Sequence, residues 1–222
     1  MIKFYYSTAP NPMKVALFLE EAGLDYEAIP IDTRRGEQHS EEFLKLNPNA
    51  KCPVIVDDGT RVFDSNAILL YLAEKTGKFL PSDPAMKGEL YSWLMFVASG
   101  LGPYNGQAVH FLHFAPKFQY AIERYLFESD RHFGILDAEL AKKPYILGDD
   151  YSIVDMAMWG WTNPLTRIHG DSGFDKFPHL KAWHAKVNER PAVARAKELG
   201  KDYNTPFDEE AKRHMFRHVK AA

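Results

Sequence analysis

The 222-residue chain has one cysteine, Cys52, so no internal disulfide framework can staple it, and a reducing compartment, the cytoplasm, is expected. An excess of one charge is missing as well. Lys and Arg total 27 against 30 Asp and Glu, a formal net charge of -3 with no long block of either sign. A surface built for nucleic acid or for an anionic membrane is therefore not expected. Long apolar runs are also absent: nowhere do about 18 apolar residues follow one another, as a membrane-spanning helix needs. The opening MIKFYYSTAPNP lacks a basic segment followed by an apolar run, so secretion is not expected either. His110, His113 and His169 lie among aromatic and apolar residues, with no pair of histidines four apart beside a glutamate, and no metal site is expected. What the chain does have is 45% hydrophobic residues, enough for a sizeable core in one or two domains.

Ile2 to Tyr6 reads as a strand running into the polar, proline-rich loop Ser7 to Pro12. Val15, Phe18, Leu19 and Ala22 then recur at i, i+3, i+4 and i+7, and Gly23 closes the pattern, which predicts an amphipathic helix. Asp25 to Ile31 reads as a second strand, and Ser40 to Leu46 as a short helix with Ser40 as its N-cap. Pro53 to Val56 and Arg61 to Phe63 flank Asp58-Gly59, a pair suited to a tight hairpin. A third helix follows Asp64 and Ser65, with Ile68, Leu69 and Leu72 on one face and Gly77 at its stop. The order βαβαββα over about 80 residues is too little for a large doubly wound sheet and suits a small α/β domain.

Pro81 to Pro84 reads as a linker, beyond which strand patterns disappear. Helices are expected over Ala85 to Ser99, Pro116 to Leu140, Ser152 to Thr162 and His179 to Arg190. In the third of these, Val154, Ala157, Met158 and Trp161 share a face, and Ser152 with Asp155 has capping-box spacing, so this helix should be central and buried. The end, from about Gly200, is polar and is expected to wrap around the body or to fray.

This order, together with NPNAKCPVIVDDG, DSNAILLYLAEKTG and GDDYSIVDMAMW, resembles the cytosolic glutathione transferases across nearly the whole chain. YSTAPNPMKVALFLEEAGLDYE and YAIERYLFESDR are most similar to the bacterial Nu class, whose members act on disulfides through glutathione. The resemblance implies a thioredoxin-like α/β domain over 1–81 and an all-helical, all-α C-terminal domain over 85–222, assembled as a homodimer. It also implies glutathione or glutathione disulfide as ligand, with no metal. A cis Cys52–Pro53 bond would present the Cys52 backbone to the cysteinyl part of glutathione. Asp64 and Ser65, before the third helix, would hold the γ-glutamyl ammonium and carboxylate, and a helix N-terminus favours an anion there. Lys51 would contact the glycine carboxylate, Gln38 would add a polar contact, and Arg131 would meet a second glutathione carboxylate.

Thiolate activation is where the sequence departs from its relatives, because Ala9 stands where Nu members usually carry a threonine hydroxyl. Lowering a thiol pKa by about two units takes about 2.7 kcal/mol. One hydrogen bond to a charged group supplies about 1.5 to 3 kcal/mol, and a helix N-terminus about 0.3 to 1. A single donor at the start of the first helix is thus sufficient. Asn11, read as standing immediately before that helix, is the first choice, with Ser7 and then Thr8 as displaced hydroxyls and Tyr5 or Tyr6 as mimics of other classes. Cys52 could form a mixed disulfide, although a free cysteine is more often a small buried hydrophobe. Aromatics from Tyr91 to Phe118 are expected to line an acceptor pocket, a dimer interface or an ordinary core. Disulfide reduction through glutathione leads. Conjugation of glutathione to small electrophiles and a non-catalytic binding module are the alternatives.

Overall fold

Buried and more exposed residues alternate along Ile2–Tyr6, which forms β1, one of the two inner strands of a four-stranded sheet. A computed structural model describes residues 1–201 and 205–217. The other strands are β2 (Tyr26–Pro30), β3 (Val54–Asp57) and β4 (Thr60–Phe63), in the order β2-β1-β3-β4. β2 pairs parallel to β1 with Ile2 opposite Tyr26, β3 pairs antiparallel to it with Phe4 opposite Ile55, and β4 returns antiparallel to β3. The hairpin turn is made by Asp58 (φ 46°) and Gly59 (φ 88°), the two left-handed positions that an Asp-Gly pair tolerates.

Three helices join these strands. α1 (Pro10–Ala22) starts at a proline, whose missing N–H costs nothing in the first turn. It ends at Gly23 (φ 64°), whose N–H donates to Leu19 O. α2 (Glu41–Leu46) is capped by Ser40, whose Oγ accepts from Phe43 N, as the sequence predicts. α3 (Ser65–Thr76) buries Ile68, Leu69 and Leu72 completely. The βαβαββα arrangement is thioredoxin-like. α1 is more deeply enclosed than an amphipathic helix should be: Lys14, Ala16 and Leu17 are buried beside the expected Val15, Phe18, Leu19 and Ala22.

The described residues form two compact bodies, one of 1–72 together with 192–201 and 205–217, and one of Ala73–Pro191. The helices of the second are α4 (Lys87–Phe96), α5 (Gly102–His113), α6 (Gln119–Leu140), α7 (Ile153–Thr162), α8 (Leu165–His169) and α9 (Pro178–Asn188). Its core holds Phe133, Leu136, Ile146, Val154, Ala157, Met158, Trp159 and Leu180. α7 carries the expected capping box between Ser152 and Asp155. Asp155 is fully buried and accepts from Ile146 N, Ser152 N and Oγ, and Trp183 Nε1. Burial pushes its carboxyl up to about 6 against those donors.

α5 falls between the helical stretches expected from the sequence, within the aromatic segment Tyr91 to Phe118 for which an ordinary core is one of the readings, and Pro103 sits in its first turn, where proline fits. The glycines mark close approaches: a Cβ at Gly100 would lie 2.4 Å from His132 Nε2, and one at Gly102 would lie 2.9 Å from Trp161 Nε1. A π-helical turn, Val97–Leu101, links α4 to α5.

α10 (Pro191–Glu198) and α11 (Glu209–Met215) complete the first body. Arg195 Nε donates to Glu20 Oε2 at 2.7 Å, and the Tyr6 hydroxyl donates to Leu199 O at 3.0 Å. Arg35 pairs with Asp208 at 3.1 Å and with Glu210 at 2.6 Å, so the described part of the polar end folds back onto the loop after β2. No helix among the described residues is long and apolar enough to cross a membrane.

Candidate functional site

Three loops leave the sheet and meet at a cavity of about 380 Å³. Ser7 and Ala9 come from the loop after β1, Thr33, Gln38 and His39 from the loop after β2, and Ala50, Lys51 and Cys52 from the loop before β3. His214, Met215 and Arg217, from α11 and the residues just after it, also line it.

The last of these loops is shaped by Asn47, which is 2% exposed. Its Nδ2 donates to Lys51 O at 2.7 Å, and its Oδ1 accepts from Asn49 N at 3.0 Å. Ala50 sits at φ 52°, a left-handed conformation that an alanine adopts only when its surroundings hold it there. The Cys52–Pro53 bond that follows is cis. Pro53 is buried, leads directly into β3, and leaves the Lys51 side chain in solvent.

Gln38 is 6% exposed. Its Nε2 donates to Thr33 O at 3.2 Å, while its Oε1 has no hydrogen-bond partner among the described residues. A buried amide oxygen in that state is costly unless a ligand or water donates to it. The loop is folded by Asp32, whose Oδ1 accepts from Arg34 N and Arg35 N, and by Gly36 (φ 84°), where a Cβ would lie 2.5 Å from His214 Nδ1.

Cys52 is half-buried against the cluster of Ile31, Phe43 and Val54. Burial, reinforced by Glu37 and opposed by Lys51, pushes its thiol up to about 12. At neutral pH it is a thiol and not a nucleophile. Tyr5 packs edge-on against Phe43, and the Tyr6 ring stacks on Phe4, so both tyrosines serve the core. Ser7 is buried and faces the cavity, whereas Thr8 is exposed. Asn11 is half-buried and is the second residue of α1, one turn-position inside the helix rather than before it.

At the start of α3, Asp64 takes φ 73° and its Oδ1 accepts from Asn66 N at 2.9 Å and Ala67 N at 3.2 Å, which caps the helix. Ser65 and Asn66 are buried. Behind them lies Lys14, whose Nζ donates to Ser65 Oγ and Asn66 Oδ1, both at 3.4 Å. Arg131 belongs to the helical body, where its Nε donates to Glu128 Oε2 at 2.9 Å. Among the described residues no group of three or more His, Cys, Asp or Glu side chains stands close enough to hold a metal ion.

Of the residues singled out in the sequence, Ser7, Gln38, Lys51 and Cys52 share the cavity, while Asn11, Pro53, Asp64, Ser65 and Arg131 are not among the residues that line it. Lys14 and Asn47 were not foreseen. Lys14 had a signal, since it is in register with Leu17 and Phe18 on an apolar face. Asn47 had only its neighbouring Pro48. His214 had none, because it lies far along the chain from the loop it meets.

Two family models match the chain. That described as Glutathione S-transferase, N-terminal domain matches residues 1–74, and that described as Glutathione S-transferase, C-terminal domain matches residues 107–191. Disulfide-bond oxidoreductase YfcG of Escherichia coli (strain K12) is 44% identical over 204 residues, covering 88% of this chain and 94% of that protein. A glutathione transferase family member from Pseudomonas fluorescens pf-5, crystallised with two glutathione bound, superposes with a TM-score of 0.84 at 38% identity, covering 88% of this chain and 91% of its own. The glutathione transferase from Pseudomonas putida, with one glutathione disulfide bound per subunit, gives a TM-score of 0.84 at 37% identity, covering 90% of this chain and 91% of its own.

Proposed function

We propose that this chain, which belongs to the glutathione S-transferase family, reduces disulfides with glutathione as the source of both electrons. The observation that carries the reading is the buried Gln38 Oε1 without a partner among the described residues, in a cavity lined by Lys51 and Cys52. A volume of about 380 Å³ is in the range of small-ligand sites. The names of the similar proteins, a disulfide-bond oxidoreductase and transferases holding glutathione or its disulfide, support the same ligand.

In this reading the Cys52 backbone lies along the cysteinyl part of glutathione, Lys51 meets the glycine carboxylate, and Gln38 Oε1 accepts from a ligand N–H. Ser65 and the first N–H groups of α3 hold the γ-glutamyl carboxylate, with Asp64 on the ammonium. Asn11 Nδ2 donates to the glutathione sulfur, with Ser7 as the second donor, and Arg131 meets a second glutathione carboxylate. The thiolate attacks one sulfur of the substrate disulfide, forming a mixed disulfide and releasing a thiolate that takes a proton. A second glutathione thiolate then attacks the glutathione sulfur of the mixed disulfide, giving glutathione disulfide and the second reduced thiol. Cys52 takes no part, in keeping with its raised pKa.

The protein is proposed to work in the cytoplasm as a homodimer. Phe118, Tyr120 and Phe127, each more than half exposed, supply aromatic surface of the kind interfaces use. Turnover of glutathione with a small dialkyl disulfide and with an aryl halide tests the reading. Disulfide turnover well above halide conjugation is expected; the reverse would make the chain a conjugating transferase, and glutathione binding without either reaction would make it a binding module.

A further inference from the structure

A helix of 7 residues, as α11 is, is not stable in water by itself, so its place is fixed by what holds it. The strap formed by 205–217 is fastened along the loop after β2. The Thr205 hydroxyl donates to Asp32 Oδ2, Arg34 donates to Thr205 O and stands 6.0 Å from the centre of the Phe207 ring, and Arg35 bridges Asp208 and Glu210. Gly36 has no side chain where one would collide with the His214 ring. His39 completes the attachment with both ring nitrogens. Arg217 Nη1 lies 3.3 Å from its Nδ1, and a guanidinium can only donate, so Nδ1 is the acceptor. The ring proton is then on Nε2, which donates to His214 O at 3.4 Å.

Held in this way, the strap brings His214, Met215 and Arg217 to the cavity. The charge there is one-sided. Lys51 and Arg217 line the cavity with His39 and His214, and none of the described residues lining it is an aspartate or a glutamate. The nearby acids are engaged elsewhere: Asp208 and Glu210 pair with Arg35, and Glu37 accepts from Asp32 N at 2.6 Å. We infer that Arg217 is a specificity-determining contact of this cavity, its guanidinium joining Lys51 on the glycine carboxylate of glutathione. The inference rests on the reading of the cavity as a glutathione site. Lys51 is a flexible point charge in solvent, and a single exposed ion pair discriminates little. An arginine has several N–H donors in a planar fork, so the bond to His39 orients Arg217 without exhausting it, and the fork suits the two oxygens of a carboxylate.

Two ligands separate this contact from a merely structural role. One is glutathione; the other is glutathione with its glycine carboxylate converted to the amide, which keeps the thiol, the γ-glutamyl end and the length but loses that charge. Calorimetric titration of the full chain with each, as wild type and as Arg217→Gln, gives four affinities. Arg217 is exposed, so its replacement should leave the fold intact, and the amide serves as the control for it. The wild-type protein should prefer the acid to the amide. Arg217→Gln should weaken glutathione about fivefold, between the effect of an exposed ion pair and that of an enclosed charge-assisted hydrogen bond, and should leave the amide within about a factor of two. Equal weakening of both ligands would mean that Arg217 only fastens the strap, and an unchanged affinity for glutathione would place it outside the site; either overturns the inference while leaving glutathione binding intact. A wild-type protein that binds acid and amide equally well overturns it too. Failure of the wild-type protein to bind either ligand overturns the glutathione reading itself and this inference with it.

Discussion

Asn47 Nδ2 donates to the carbonyl oxygen of Lys51 at 2.7 Å, and through this bond a buried side chain sets the path of the loop that ends at the cis Cys52–Pro53 bond. The same side chain accepts from Asn49 N, so one residue holds two turns of the loop and keeps Ala50 in its left-handed conformation. Asn47→Ala is expected to destabilise the protein by about 1 kcal/mol, since it removes two part-buried hydrogen bonds, to Lys51 O and from Asn49 N. In the proposed function it should also raise the KM for glutathione several-fold with little change in kcat. Urea denaturation beside steady-state kinetics checks both parts, and an unchanged KM would detach the loop from ligand binding.

The proposed function gives thiolate stabilisation to Asn11. Asn11→Ala should raise the pKa of the bound glutathione thiol by about one unit, equivalent to about 1.4 kcal/mol. Turnover of a model disulfide at neutral pH should fall correspondingly, while glutathione affinity stays near its original value. Ser7→Ala should have the smaller effect. Thiolate absorbance against pH for the bound complex gives the first quantity; if only Ser7→Ala moves it, the role passes to the serine.

Cys52→Ser tests whether the protein's own sulfur enters the reaction. Burial holds the thiol protonated, with a pKa of about 12, so disulfide turnover should survive the substitution within a factor of about three, a change of about 0.7 kcal/mol. A mixed disulfide between Cys52 and glutathione, sought by intact-protein mass spectrometry under turnover, should not accumulate. Loss of activity accompanied by loss of such an adduct would reinstate Cys52 as a participant.

Lys14 makes stability depend on pH. Its folded pKa of about 7 is below the unfolded 10.5, so between these values the unfolded chain binds more protons than the folded one. The contribution is most favourable above 10.5 and is lost as pH falls through about 7. In the free protein, wild-type stability relative to Lys14→Met should therefore rise from pH 7 to pH 10. Denaturant midpoints of the two proteins across that range measure it, and a constant difference would mean that Lys14 binds its proton equally in the folded and unfolded states.

In the helical body, Asp155→Ala would strand the N–H groups of Ile146, Ser152 and Trp183 in the interior. A loss of about 3 kcal/mol or more is expected from several unsatisfied donors together. Ser152→Ala removes one capping hydroxyl and should cost about 1 kcal/mol. Comparable losses in the two variants, read from chemical denaturation, would place the stabilising effect in the helix cap alone.

Local pattern alone was enough to determine the four strands, α1 to α3 and the caps at Ser40 and Ser152. Periodicity, turn dipeptides and capping spacing act over a few residues, and those are the forces that form these elements. Gathering Gln38, Lys51 and Cys52 at one site came from the resemblance to glutathione transferases and not from local pattern; with Ser7 they line one cavity. The helix α5 is not among the helices expected from the sequence, and the close approaches of Gly100 to His132 and of Gly102 to Trp161 are visible only in the fold. Nor could the state of Lys14 or Cys52 be read, because a pKa depends on burial and on neighbours distant in sequence. Lys14 is about 50 residues from Ser65, and Gly36 meets His214 only because α11 folds back onto the loop after β2. Contacts of that range exist only once the chain is folded, and they decide which of the polar groups at the strand ends have a charge, a partner or an unfilled hydrogen bond.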